Sequence, residues 1–91
     1  MTVTALMWEA KAAEGRGERL LEWARAAEPV GDGSAAPGEP LRREHLTAPG
    51  GRVLVITWWD TDREAAPPEL PEPPPALLAR PVHRWRFTRV D

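Results

Sequence analysis

The chain of 91 residues has no cysteine and no tyrosine, and its one lysine, Lys11, stands against eleven arginines. Without thiols there is no disulfide framework and no thiolate chemistry. With only two histidines besides, a zinc-type metal site has few donors, and neither metal nor cofactor is expected. No apolar run approaches the roughly 18–20 residues of a membrane-spanning helix. The stretch Met1-Thr2-Val3-Thr4-Ala5-Leu6-Met7-Trp8 lacks the basic leader and cleavage site of a signal peptide, so a cytoplasmic protein with no membrane partner is the expectation. A large charge of either sign is also missing. The net charge is −2 and the isoelectric point near 5.7, which gives no bulk attraction to nucleic acid or to an anionic membrane. The usage heavy in Ala, Gly, Pro and Arg fits coding in a GC-rich bacterial genome.

What the chain does have is tryptophan. Five of them would bury roughly 200 Å² each. A domain of this size removes only about 60–65% of its unfolded surface from water. One layer of helix on a short sheet struggles to cover so much, and the excess points to a second copy. The centre of the chain is Gly51-Arg52-Val53-Leu54-Val55-Ile56-Thr57-Trp58-Trp59-Asp60, an apolar β-branched run punctuated upstream by Pro49-Gly50-Gly51. Both of its faces are apolar, the pattern of a central strand covered on both sides. Residues 2–9 have the same two-faced character and form a second central strand; residues 9–14 are ambiguous and can fray into a helix.

After Gly15-Arg16-Gly17 a helix is expected from about Glu18, with Leu20, Leu21, Trp23, Ala24 and Ala27 on one face. Pro29 ends it. Residues 29–40 carry glycines and prolines and read as a mobile loop. Residues 41–48 alternate with charge on both faces, which suits an edge strand, and Pro49-Gly50-Gly51 turns it into the central strand. Prolines dominate residues 65–81, where no long helix can form. The default there is an extended segment anchored by Leu70, Leu77 and Leu78, laid across its own domain or, as the other option, docked on a partner. The last strand, residues 82–90, alternates cleanly and is more exposed.

The order β, α, β, β, proline-rich segment, β matches the ferredoxin-like β-α-β-β-α-β plan with its second helix degraded. The whole chain, 1–91, is then one α+β domain with a four-stranded antiparallel-type sheet. Its first and third strands lie side by side in the middle, expected to run parallel, and the two charged strands form the edges. The residues Thr4-Ala5-Leu6-Met7-Trp8-Glu9-Ala10-Lys11, Leu20-Leu21-Glu22-Trp23 and Val53-Leu54-Val55-Ile56-Thr57-Trp58-Trp59-Asp60 resemble the dimeric α+β barrel superfamily, near the antibiotic-biosynthesis-monooxygenase-like proteins. The resemblance covers roughly residues 2–60 and the last strand, at core positions rather than a catalytic motif. It implies a homodimer with two sheets packed face to face and, in enzymatic members, a pocket between sheet and helices.

The chemistry such relatives perform without a cofactor needs a base and a stabiliser for an anionic substrate. His45 or His83 is the candidate base and Arg43 the candidate stabiliser. Trp8, Trp58, Trp59, Trp85 and Phe87 are the candidate walls for a flat aromatic ligand. Asp60, Asp62 and Glu64 have no calcium-loop spacing and read as a solvated turn. Arg80, His83, Arg84, Trp85, Arg86, Phe87 and Arg89 interleave cations and aromatics as nucleic-acid platforms do. The Lys/Arg-Gly-aromatic signature of RNA-recognition sheets is absent from Arg52-Val53-Leu54-Val55, and no nucleic-acid partner is expected. The expectation is a small homodimer that binds or transforms an aromatic metabolite, with enzyme activity left open. The alternative is a non-catalytic binding or accessory subunit acting through its sheet face or its proline-rich segment.

Overall fold

The computed structural model describes residues 1–30, 39–62 and 66–91. Five main elements follow one another: β1 (Val3–Lys11), α1 (Gly17–Ala26), β2 (Arg42–Ala48), β3 (Arg52–Asp60) and β4 (His83–Thr88), with one short 3₁₀ turn at Pro75–Leu77. The architecture is α+β, with one helix and a four-stranded antiparallel open sheet in the order β2-β3-β1-β4. That arrangement is compatible with the ferredoxin-like plan. The charged strands are the edges, as their sequence indicates.

The two central strands, however, run antiparallel, Val3 opposite Asp60 and Lys11 opposite Arg52, and not parallel as expected. The reason is directional. The crossover through α1 brings β2 back in the same sense as β1, and the tight turn at Pro49-Gly50-Gly51 then reverses β3. Gly50 and Gly51 hold φ values of +87° and +73°, which glycine adopts without a Cβ penalty. At Gly51 a Cβ would also lie 3.2 Å from the Ala12 methyl, so both conformation and space call for glycine there.

β1 also outlasts its expected end. Residues 9–11 stay in the sheet, although Ala10-Lys11-Ala12-Ala13 has good helix propensity. Their backbone groups are claimed from both sides. The Ala12 amide donates to Gly51 O (2.8 Å), the Ala13 amide to Leu77 O (2.9 Å), and the Ala79 amide to Lys11 O (2.8 Å). Such ladders outweigh a propensity of a few tenths of a kcal/mol per residue.

α1 places Glu18 in its first turn and Arg25 in its last, each suited to the helix dipole. It stops at Ala26; Ala27 is already extended, well before Pro29. Leu20 and Ala24 are fully buried against Trp8, Ala10, Ala12, Val53 and Val55, with Leu21, Trp23 and Ala27 flanking them. Trp8 and Trp23 stack with ring centroids 6.0 Å apart.

The proline-rich segment completes this layer. Leu70 is buried in the same cluster, with Leu77, Leu78 and Val82 packed on its margin. Backbone bonds tie the segment at both ends, Val30 N to Glu69 O (2.8 Å) upstream and the Leu77 and Ala79 bonds downstream. Arg84 donates from β4 to Leu70 O (2.7 Å). Prolines cannot donate into a helix, so this span works as a strap. Of the loop expected at 29–40, residues 31–38 lie outside the described residues, as do 63–65.

The expectation of cover on both sides of β3 is met on one face only. Val53, Val55, Thr57 and Trp59 are buried under the helix side, while Leu54, Ile56 and Trp58 are only half-buried.

Candidate functional site

Pairing register fixes which side chains share the open face. Three rows cross the sheet: Arg42, Trp58, Ala5 and Phe87; Glu44, Ile56, Met7 and Trp85; Leu46, Leu54, Glu9 and His83. Beyond them Ala48, Arg52 and Lys11 form a fourth, shorter row. The middle of this face is apolar, and no described residue covers it. Leu46, Trp85 and Phe87 stay 42%, 44% and 54% exposed. Charge sits at the margins. Arg42 pairs with Glu44 (2.8 Å) and lies over the Trp58 ring at 5.6 Å, a cation–π distance.

Among the described residues the one buried charge on this face is Glu9, whose side chain is 5% exposed. Arg52 donates through Nε to Oε2 (2.9 Å), and Arg80 Nη2 donates to both carboxylate oxygens (2.7 and 2.8 Å). His83 Nδ1 stands 3.7 Å away. Burial by itself pushes the Glu9 carboxyl up; the hydrogen bonds and charges of Arg52 and Arg80 together outweigh it and hold the group below the usual carboxylate range. Glu9 thereby joins β1 to β3 and to the end of the strap. Beside it, Met7, Glu9, Leu46, Thr47, Ala48, Arg52, Leu54 and Trp85 line an open concavity of about 350 Å³.

The expected site residues divide between the two faces. His45 and Arg43 sit on the helix face of edge strand β2, and Arg43 Nη2 donates to Ala24 O at the end of α1 (2.7 Å). Burial lowers the Arg43 pKa, and the Glu28 charge opposes it. Burial, then the Arg43 and Arg25 charges, hold His45 below the ordinary imidazole value, against the pull of the Ala24 carbonyl. His45 Nε2 has no partner among the described residues. His83 lies on the opposite edge and the opposite face, so it and Arg43 do not meet. Trp8 and Trp59 are core residues, whereas Trp58, Trp85 and Phe87 belong to the open face.

On the helix side, the space lined by Leu6, Trp8, Pro29, Pro68, Leu70 and Arg84 measures only about 10 Å³. That is no room for a metabolite. A larger groove, about 830 Å³, runs over the outside between Trp23 and the prolines of the strap and is open to solvent. Of the acidic turn, Asp60 accepts from the Asp62 amide (3.0 Å), and Asp62 accepts from the Thr2 amide (3.0 Å). Among the described residues no group of three or more metal-ligating side chains comes together.

Sequence reasoning missed the Glu9, Arg52 and Arg80 cluster. A signal existed: Glu9 is the single acid of β1, amid the mostly apolar run Ala5 to Ala10, where an unpaired buried charge would be costly. Finding its partners required the register of β3 and the path of the strap.

Fold and site together define a small α+β protein with one packed and one open sheet face. Comparison of the chain with known protein families, with curated proteins and with solved structures finds no match in any of the three.

Proposed function

We propose that the chain acts as a homodimer of the ferredoxin-like, dimeric α+β barrel kind, two sheets packing by their open faces, and that its role is to bind a small aromatic molecule. The observation that carries this reading is the apolar open face formed by Met7, Leu54, Ile56, Trp58, Trp85 and Phe87. Strands about 4.8 Å apart that rise about 3.3 Å per residue make a face of roughly 19 by 25 Å. Two such faces bury about 1,000 Å² or more once side-chain relief is counted, the lower bound for a specific interface. An apolar middle with Arg42, Glu44, Lys11 and Arg52 at its margins has the anatomy of such interfaces. A two-fold axis makes the pairing self-complementary.

A catalytic role has less support. Arg43 is engaged by the end of α1, and His45 faces the same packed layer. A binding subunit needs no base and stabiliser converging on one space, and the open-face aromatics supply its contacts. Sedimentation velocity at micromolar concentration tests the assembly. A species of twice the 10.1 kDa chain mass is expected. A stable species of single-chain mass with native circular dichroism refutes the sheet-to-sheet dimer.

A further inference from the structure

We infer that the concavity beside Glu9 on the open face is a binding site for a small aromatic carboxylate, held by the free end of the Arg52 guanidinium with its ring against Leu54, Met7 and Trp85. The inference deepens the binding role proposed above, because it names the ligand's chemical class and its place.

Charge makes the first part of the argument. Glu9 contributes one negative charge and is already bonded by two guanidiniums, Arg52 and Arg80. Arg80 spends its Nη2 on both carboxylate oxygens and donates through Nη1 to Pro81 O (3.3 Å), and its side chain is 29% exposed against 54% for Arg52. Arg52 spends only Nε on Glu9 among the described residues, and its side chain is half exposed. Lys11 stands directly opposite Arg52 in the β1–β3 register and makes no ion pair with any described residue. Like charges directly opposed across strands repel. The corner therefore holds at least two cations beyond what Glu9 neutralises. An anion placed between Lys11 and Arg52 relieves that repulsion. Arginine's planar fork matches a carboxylate, which it binds through two parallel bonds.

Shape makes the second part. The remaining walls are Met7, Leu46, Ala48, Leu54 and Trp85, apolar but for the adjoining Thr47. Inorganic anions gain nothing from such walls, whereas an aromatic ring gains contact and an edge or face of Trp85. A volume of about 350 Å³ is at the lower end for small-molecule pockets. The concavity is open in one chain. A second sheet packed on this face would roof it, excluding water from the ion pair and strengthening it.

The test is calorimetric titration of the full chain with benzoate and, separately, benzyl alcohol, followed by sedimentation of the same samples. The expected result is one benzoate per chain, at least tenfold tighter than benzyl alcohol, and weakened at least tenfold in Arg52→Met. Because Arg52→Met also removes a partner of Glu9, Lys11→Met serves as the second variant, with a loss of threefold or more. Equal binding of the two probes, no benzoate binding at millimolar concentration, or full binding by Lys11→Met would overturn the site. Charge-dependent binding by a species of single-chain mass would keep the site and refute the dimer. A dimer that ignores benzoate would keep the dimer and refute the site.

Discussion

The two faces of this sheet are built from the same two central strands, yet they have different fates. Toward the helix, Trp8, Val53 and Val55 lose nearly all contact with water in one cluster with α1 and the strap, and Trp59 on the same face is equally buried. Toward the other side, Met7, Leu54, Ile56 and Trp58 keep part of theirs. Their residue types hardly differ, so hydrophobicity alone does not say which side is the chain's own core. The difference comes from what the rest of the chain can deliver. Among the described residues, one amphipathic helix and the proline strap cover one face of the four-stranded sheet, and nothing covers the other. The second face is left open, with Arg42, Glu44, Arg52 and Lys11 toward its margins.

The sharpest way to break the comparison is a matched pair of substitutions on neighbouring residues. Val55→Asp buries an unpaired carboxylate in the packed layer and is expected to abolish the cooperative thermal transition, a loss of about 4 kcal/mol or more. Ile56→Asp, one residue on and on the open face, is expected to leave a cooperative transition at lower temperature and to shift the sedimenting mass to the single chain. Equal loss of fold in both would erase the distinction between the faces.

The strap's share of the packed layer is measured by Leu70→Ala. Removing a side chain 5% exposed should cost about 2–4 kcal/mol. For a domain this size that lowers the melting temperature by roughly 10 °C or more. An unchanged melting curve would mean that the strap only decorates α1.

Smaller effects separate the faces by pH. Glu9, on the open face, has its folded pKa depressed, so its stabilisation is present above the ordinary carboxylate value and is lost as pH falls through the folded value. Glu9→Gln should lower stability at neutral pH by about 1–2 kcal/mol and flatten the acid limb. His45, on the helix face, also has a depressed folded pKa, but it is a base. The unfolded chain binds its proton first, so stability falls as pH drops below about 6.5 and levels off below the folded value. His45→Gln should remove that shoulder from a series of melts between pH 5 and 8. A shoulder that persists assigns it to another group.

Much of the architecture was legible beforehand because period and composition are local. The Val53 to Trp59 run, the Leu20, Leu21, Trp23 and Ala24 stripe and the Pro49-Gly50-Gly51 turn each announce an element through its own sterics. Charge on Arg42, Arg43 and Glu44 and on Arg84 and Arg86 announced the edges. Local signals also left ambiguity: the alanines around Lys11 allowed either strand or helix, and cross-strand pairing from both sides decided for the strand.

The candidate site was the less legible part, since it joins residues far apart in the chain. Nothing near Glu9 in sequence announces Arg52 or Arg80, 43 and 71 positions away. His45 and His83 look equivalent as residue types, and only the register of β2 and β4 puts them on opposite faces. By itself, then, the sequence determined the elements, their edges and the surplus of apolar surface, because those follow from side-chain chemistry and backbone sterics within a few residues. The tertiary structure alone decided which face became the core, where the strap lies and which charges meet, because those depend on strand direction, register and the limited reach of one helix.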